Sequence, residues 1–143
     1  MDPLPQPQTR EIGGYRALVV GRTGQEQPPE RLIVFLPGFL AAPRVYRQFL
    51  TAITRPESVV VAPRLYRPSP SVLAGRFTAD DESERAVELV ERLPPDLHAS
   101  ELWLAGHSRG GQAAWLAAAR LARSPGLAGP VVIDPVDGAG RHP

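Results

Sequence analysis

Ser108 sits in Gly106-His107-Ser108-Arg109-Gly110-Gly111, between the apolar run Leu102-Trp103-Leu104-Ala105 and an alanine-rich stretch over residues 109–123. A buried strand that turns into a helix around G-x-S-x-G leaves few architectures open. The turn is too sharp for relaxed backbone, so the serine is forced into strained torsions and its hydroxyl stands proud of the sheet. Glycines on either side are the residues that leave room for such a bend. The turn also opens a helix, whose first N–H groups have no partner of their own and favour negative charge.

The rest of the chain repeats the alternation of strand and helix. Tyr15–Val20 reads as an early strand, and Leu32–Leu36 and Val59–Ala62 as buried strands, each apolar throughout. Residues 43–54 place Val45, Tyr46, Phe49, Leu50 and Ile53 at helical spacing behind Pro43. Thr78 with Asp80, Asp81 and Glu82 marks a helix start, acidic where the helix dipole favours acid. Ala86, Val87, Val90 and Leu93 supply its apolar face before Pro94-Pro95 stops it. Residues 101–105 lead into the serine turn, and Val131-Val132-Ile133 is a final strand. Residues 63–77, with three prolines, read as a long loop beside the place a substrate would occupy. Alternation of this kind predicts a three-layer α/β/α sandwich on a mostly parallel sheet, with residues 1–11 as a proline-rich flexible arm and 12–143 as the domain.

Composition narrows the chemistry. A net charge of +1 gives no reason to expect nucleic acid as a partner. The absence of cysteine removes disulfides, thiolate catalysis and Cys-ligated metals. No apolar run approaches a membrane span, so no stable membrane anchor is expected, and the acidic, proline-rich start lacks a signal peptide's apolar core. A cytoplasmic protein is the expectation. No G-x-G-x-x-G, P-loop lysine or metal-ligand spacing occurs, so no cofactor is expected.

Ser108 is the expected nucleophile for acyl transfer, at what is termed a nucleophile elbow. A serine hydroxyl needs a base to take its proton. The turn Leu36-Pro37-Gly38-Phe39-Leu40 follows a central strand, where one backbone donor of an oxyanion hole belongs; the residue after the nucleophile supplies the other. The expected donors are the amides of Phe39 and Arg109. An acid at the end of the strand after the nucleophile suits the order serine, acid, histidine. Asp134 ends that strand and is preferred; Asp137, in Asp137-Gly138, also fits turn chemistry. None of the three histidines is a convincing base. His107 should diverge from Ser108 and serve as an anchor. His98 precedes the strand into the elbow, at the end of the sheet away from ligands. His142 lies in a terminal segment that would hold it poorly.

Three segments together resemble the chlorophyllases, α/β-hydrolases that split chlorophyll into chlorophyllide and phytol. They are the elbow hexapeptide, with Arg109 where Met is more usual; Val60-Val61-Ala62-Pro63-Arg64-Leu65-Tyr66; and Ile133-Asp134-Pro135-Val136-Asp137-Gly138. Phe35-Leu36-Pro37-Gly38-Phe39-Leu40 is similar to the family's oxyanion loop, with Pro37 where His is common. The resemblance runs from about residue 31 to 138. It implies Ser108 as nucleophile, Asp134 as acid, no cofactor and an apolar ester as substrate. The family's histidine lies well downstream of the Asp-Pro-Val-Asp-Gly segment, so no residue here inherits that role. The expectation is a truncated α/β-hydrolase that is nearly inactive as this chain and prone to self-association through an exposed sheet edge. A general lipase, polyesterase or thioesterase, and a non-catalytic binder of apolar ligands, are the alternatives.

Overall fold

The computed structural model describes Pro3 and residues 5–134. Six strands form one sheet: β1 (Gln8–Ile12), β2 (Tyr15–Val20), β3 (Arg31–Leu36), β4 (Ser58–Pro63), β5 (Glu101–His107) and β6 (Leu127–Ile133). Their spatial order is β1-β2-β4-β3-β5-β6. β4, β3, β5 and β6 run parallel; β1 and β2 are antiparallel additions at one side. The helices are α1 (Arg47–Ile53), α2 (Pro70–Leu73), α3 (Ala79–Glu91) and α4 (Arg109–Arg120), with a 3₁₀ turn at Pro43–Tyr46 leading into α1.

The apolar runs become the central strands because both faces of the sheet are covered. On β3, Leu32, Val34 and Leu36 face α3 and α4, while Phe35 faces α1 beside Leu50, Val60 and Ala62. β4 is buried along its whole length. Ala113, Ala114 and Ala117 are fully buried on α4, and their small side chains let the helix lie close to the sheet behind the elbow. Thr78 and Asp81 form the reciprocal cap of α3, each side chain accepting from the other's backbone N–H. The structure has the three layers expected and the mostly parallel sheet of an α/β-hydrolase.

The expected arm over residues 1–11 gives way at Gln8. Proline occupies positions 3, 5 and 7, but from Gln8 onward each residue has an N–H to pair, and β1 zips onto β2 from Gln8↔Val19 to Ile12↔Tyr15. The two-residue turn is Gly13-Gly14, with φ of 59° and 88°, angles suited to a tight hairpin. Arg10 then clamps the strand to Asp96 through two hydrogen bonds of 2.9 and 2.8 Å. The loop over 63–77 contains the short helix α2, capped by the Ser69 hydroxyl. α4 stops at Arg120, short of the predicted 123, and β6 starts earlier, at Leu127. Among the described residues β6 is the outermost strand beyond β5, and its Val131 and Ile133 are exposed.

Candidate active site

Three carbonyls decide the shape of the elbow. A Cβ on Gly110 would collide with the carbonyl oxygens of Leu36 and Pro37, and one on Gly106 would collide with the Gly110 carbonyl. The start of α4 therefore presses directly on the ends of β3 and β5, backbone against backbone. Ser108 absorbs the change of direction at φ 55°, ψ −124°, a region that residues with a side chain rarely occupy. Its N–H donates to the Ile133 carbonyl at 2.9 Å, which ties the serine to the end of β6.

The loop after β3 comes to the same point. Gly38 N–H donates to the Tyr46 hydroxyl at 2.9 Å and Leu40 N–H donates to the Tyr66 hydroxyl at 2.8 Å. Two tyrosines thus hold the residues on either side of Phe39. Neither the Phe39 N–H nor the Arg109 N–H donates a hydrogen bond among the described residues. Phe39, Ser108 and Arg109 share the lining of one cleft of about 500 Å³, whose other walls include Val72, Leu73, Phe77 and Leu116. The cleft is mainly apolar and opens at the carboxyl ends of the parallel strands, where such sheets bind ligands.

The Arg109 side chain builds one wall. Its guanidinium carbon lies 4.6 Å from the centre of the Phe39 ring and 5.8 Å from those of Tyr66 and Phe77. It also donates to the Phe77 carbonyl. Arg85 covers Phe77 at 4.5 Å and donates to the Leu65 carbonyl. Beneath them Glu82 is buried, with one carboxylate oxygen 3.8 Å from Arg109 Nε. That is a charge contact and too long for a hydrogen bond, and both atoms are buried without a hydrogen-bonding partner among the described residues. Burial pushes the Glu82 carboxyl up to about 7, against the opposing pull of Arg109 and Arg85. Burial also raises the Tyr66 hydroxyl, so it stays protonated while it accepts from Leu40.

Sequence reasoning singled out Phe39, Ser108 and Arg109, and the fold brings them together. It missed Tyr46, Tyr66, Phe77 and the buried role of Glu82. Glu82 was legible: it follows Ala79 by three residues and precedes Ala86 and Leu89 by four and seven, the spacing of the buried face of α3. Tyr46 and Phe77 gave no local signal, because their partners lie on other elements.

Asp134 directly follows β6, exposed, with φ 47°. It stands one residue past the Ile133 carbonyl that the Ser108 amide engages. Asp137 and His142 lie outside the described residues. His107 turns from the serine to the Tyr46 hydroxyl, at 2.8 Å, and serves as an anchor for the Gly38 loop. His98, before β5, sits at the opposite edge of the sheet with Nε2 2.8 Å from the Leu93 carbonyl. Among the described residues, the Ser108 hydroxyl has no hydrogen bond to an imidazole.

A family model described as chlorophyllase matches residues 16–143. The chain belongs to the chlorophyllase family. Family membership makes it a member of an ester hydrolase family, with Arg109 in the position after the serine. No curated protein matches the sequence. Solved structures share the fold at low identity. An esterase of the bacterial hormone-sensitive lipase family superposes with a TM-score of 0.66 at 21% identity, over 94% of this chain and 45% of that one. A dienelactone hydrolase from Anabaena variabilis gives 0.63 at 19%, over 90% and 63%. A membrane phospholipase A gives 0.63 at 22%, over 94% and 40%. This chlorophyllase-family chain thus spans less than two thirds of the length of each. No helix among the described residues is long and apolar enough to cross a membrane, and no cluster of potential metal ligands occurs among them.

Proposed function

We propose that the chain carries the nucleophile half of a serine carboxylic-ester hydrolase that acts on apolar esters of the chlorophyll kind. The observation that carries this reading is Ser108 at φ 55° on the rim of an apolar cleft also lined by Phe39 and Arg109, whose backbone amides have no partner among the described residues. In the first step Ser108 Oγ attacks the ester carbonyl and loses its proton to a base. The negative charge that develops on the carbonyl oxygen accepts from the Phe39 and Arg109 N–H groups, beside the amino end of α4. The intermediate collapses to an acyl-serine as the alcohol leaves with the proton. Water then repeats the attack and releases the acid. Asp134 takes the role of the acid that orients an imidazole base.

With no imidazole against Ser108 among the described residues, the 143-residue polypeptide is expected to turn over slowly. Loss of a triad base costs on the order of a million-fold in turnover. An oxyanion hole and binding retain roughly a thousand-fold over water. The test is hydrolysis of a p-nitrophenyl acyl ester, with and without added imidazole, alongside labelling by a fluorophosphonate. Weak hydrolysis that imidazole accelerates and Ser108→Ala abolishes is the expected result, as is labelling confined to Ser108. Labelling or hydrolysis that survives Ser108→Ala overturns the reading. Vigorous hydrolysis without imidazole that Ser108→Ala abolishes keeps the serine and overturns the expected slowness.

The same hydroxyl, with no imidazole partner among the described residues, favours one second reading, a non-catalytic binder of apolar ligands. Saturable binding of an apolar ester in the cleft, with no Ser108-dependent labelling even in imidazole, would decide for it. Within the enzyme reading, relative rates on chlorophyll, triglyceride, polyester and thioester substrates separate a chlorophyllase from a general lipase, polyesterase or thioesterase.

A further inference from the structure

Charge is distributed unevenly between the two edges of the sheet. Residues 37–47 follow β3 and residues 64–78 follow β4, so both loops rim the carboxyl edge where the cleft opens. Together they contain five arginines and no Asp or Glu: Arg44, Arg47, Arg64, Arg67 and Arg76. The loops at the opposite edge, 21–30, 54–57, 92–100 and 121–126, contain four arginines and four carboxylates. All five rim arginines are exposed, and none forms an ion pair among the described residues. The acids that follow the second loop, at the start of α3, are engaged elsewhere, and a further exposed carboxylate at this edge among the described residues is Asp134, after β6. Asp81 caps α3, Asp80 pairs with Arg120 at 2.8 Å and Glu82 is buried.

The same two loops carry Phe39, Leu40, Val45 and Leu73, four of the eight exposed large apolar side chains among the described residues. Val45 is 72% exposed, on the 3₁₀ turn between Arg44 and Arg47, and Leu73 is 65% exposed at the cleft. Neighbouring depressions connect the two kinds of side chain: Arg16, Arg44 and Arg64 line one, Arg64, Leu40 and Tyr66 the next, and Phe39 and Leu73 the cleft itself. Glu11 on β1 stands opposite Arg16 on β2.

We propose that this rim docks on the surface of a bilayer containing anionic phospholipid. Exposed apolar side chains enter the headgroup boundary and the arginines engage lipid phosphates. Charge complementarity selects the anionic lipid, and the apolar tips select a lipid interface over a hydrated polyanion. Docking stands on the rim alone; that it presents the cleft to an ester dissolved in the bilayer rests on the function proposed above.

Co-sedimentation with vesicles tests it, using phosphatidylcholine alone and phosphatidylcholine mixed with phosphatidylglycerol. The chain is expected to bind the mixed vesicles and to release as salt rises. Each arginine near such a surface contributes about fivefold in partitioning, so the triple change Arg44→Gln, Arg64→Gln, Arg67→Gln lowers binding on the order of a hundredfold. Val45→Ser, which leaves every charge in place, also weakens binding, and Arg123→Gln at the far edge does not. Ser108→Ala binds as well as the parent, so loss of the esterase reading leaves this result intact. Three results overturn the proposal: no preference for the anionic vesicles at low salt, partitioning unchanged in the triple variant, or tight binding to a DNA oligonucleotide with none to vesicles.

Discussion

The elbow and the wall beside it hold neighbouring parts of one site by opposite means. At the elbow, Gly106 and Gly110 let main chain press on main chain, and space alone decides which residues fit. At the wall, Arg109 spans Phe39, Tyr66 and Phe77 and reaches down to a buried carboxyl, and charge decides. A steric site tolerates no added atom. An electrostatic one tolerates new shapes but responds to protons. The comparison can be broken or sharpened at each position.

The largest effect is expected at Gly110. Gly110→Ala drives a methyl into the Leu36 and Pro37 carbonyls, with no flexible side chain available to yield. Urea denaturation should show a loss of roughly 4 kcal/mol or more, the range reserved for changes the core cannot absorb. Retention of parent stability would mean that the elbow is not set by space.

Glu82 comes next. Below about pH 4.5 its carboxyl is protonated in both the folded and unfolded chain. Between there and about 7 the unfolded chain releases the proton while the folded chain keeps it. Folding stability therefore falls with rising pH across that window and levels above it, by about 3 kcal/mol in total. Glu82→Gln should flatten this part of the profile in denaturant titrations run at several pH values. A profile as steep as the parent's would place the titration elsewhere.

Arg109→Met removes the cation from the aromatic wall and the pull that favours an ionised Glu82. The expected cost is about 1–2 kcal/mol from lost cation–π contact. The pH window of Glu82 should extend upward, and the double variant with Glu82→Gln should be non-additive by at least about 0.5 kcal/mol. Additive losses would separate the two residues.

The smallest effect carries the opposite sign. Ser108→Gly relieves a strained φ of 55° and should stabilise the fold by about 1 kcal/mol while it eliminates labelling. A stabilised, unreactive protein is the signature of a site whose geometry is maintained against the fold's own preference.

The same contrast explains what the sequence disclosed. The elbow was legible because its determinants are adjacent: an apolar strand, glycines and alanines in one stretch. Phe39 was legible because it follows a buried strand in a Pro-Gly turn. β1 was hidden because prolines up to position 7 mask the ladder that begins at Gln8, and because its clamp, Asp96, lies far along the chain. Glu82 carried two signals. Its place in the first turn of α3 fits the helix dipole, yet its periodicity puts it on the buried face, and the packing of α3 beneath Arg109 settled which applied. Tyr46 and Tyr66, which bracket Phe39, depend on contacts across elements that no local pattern encodes.

The hydrogen bond from the Ser108 amide to the Ile133 carbonyl makes the serine answerable to a border strand. Like β1 at the other edge, β6 is paired on one side alone among the described residues, so it can peel away before the central strands do. When it does, Ser108 loses its tether and Asp134 departs with the strand. Deuterium uptake at the Ser108 amide should therefore keep pace with that of β6 and outrun that of β3 and β4, which makes the perimeter of the sheet the timekeeper of the nucleophile.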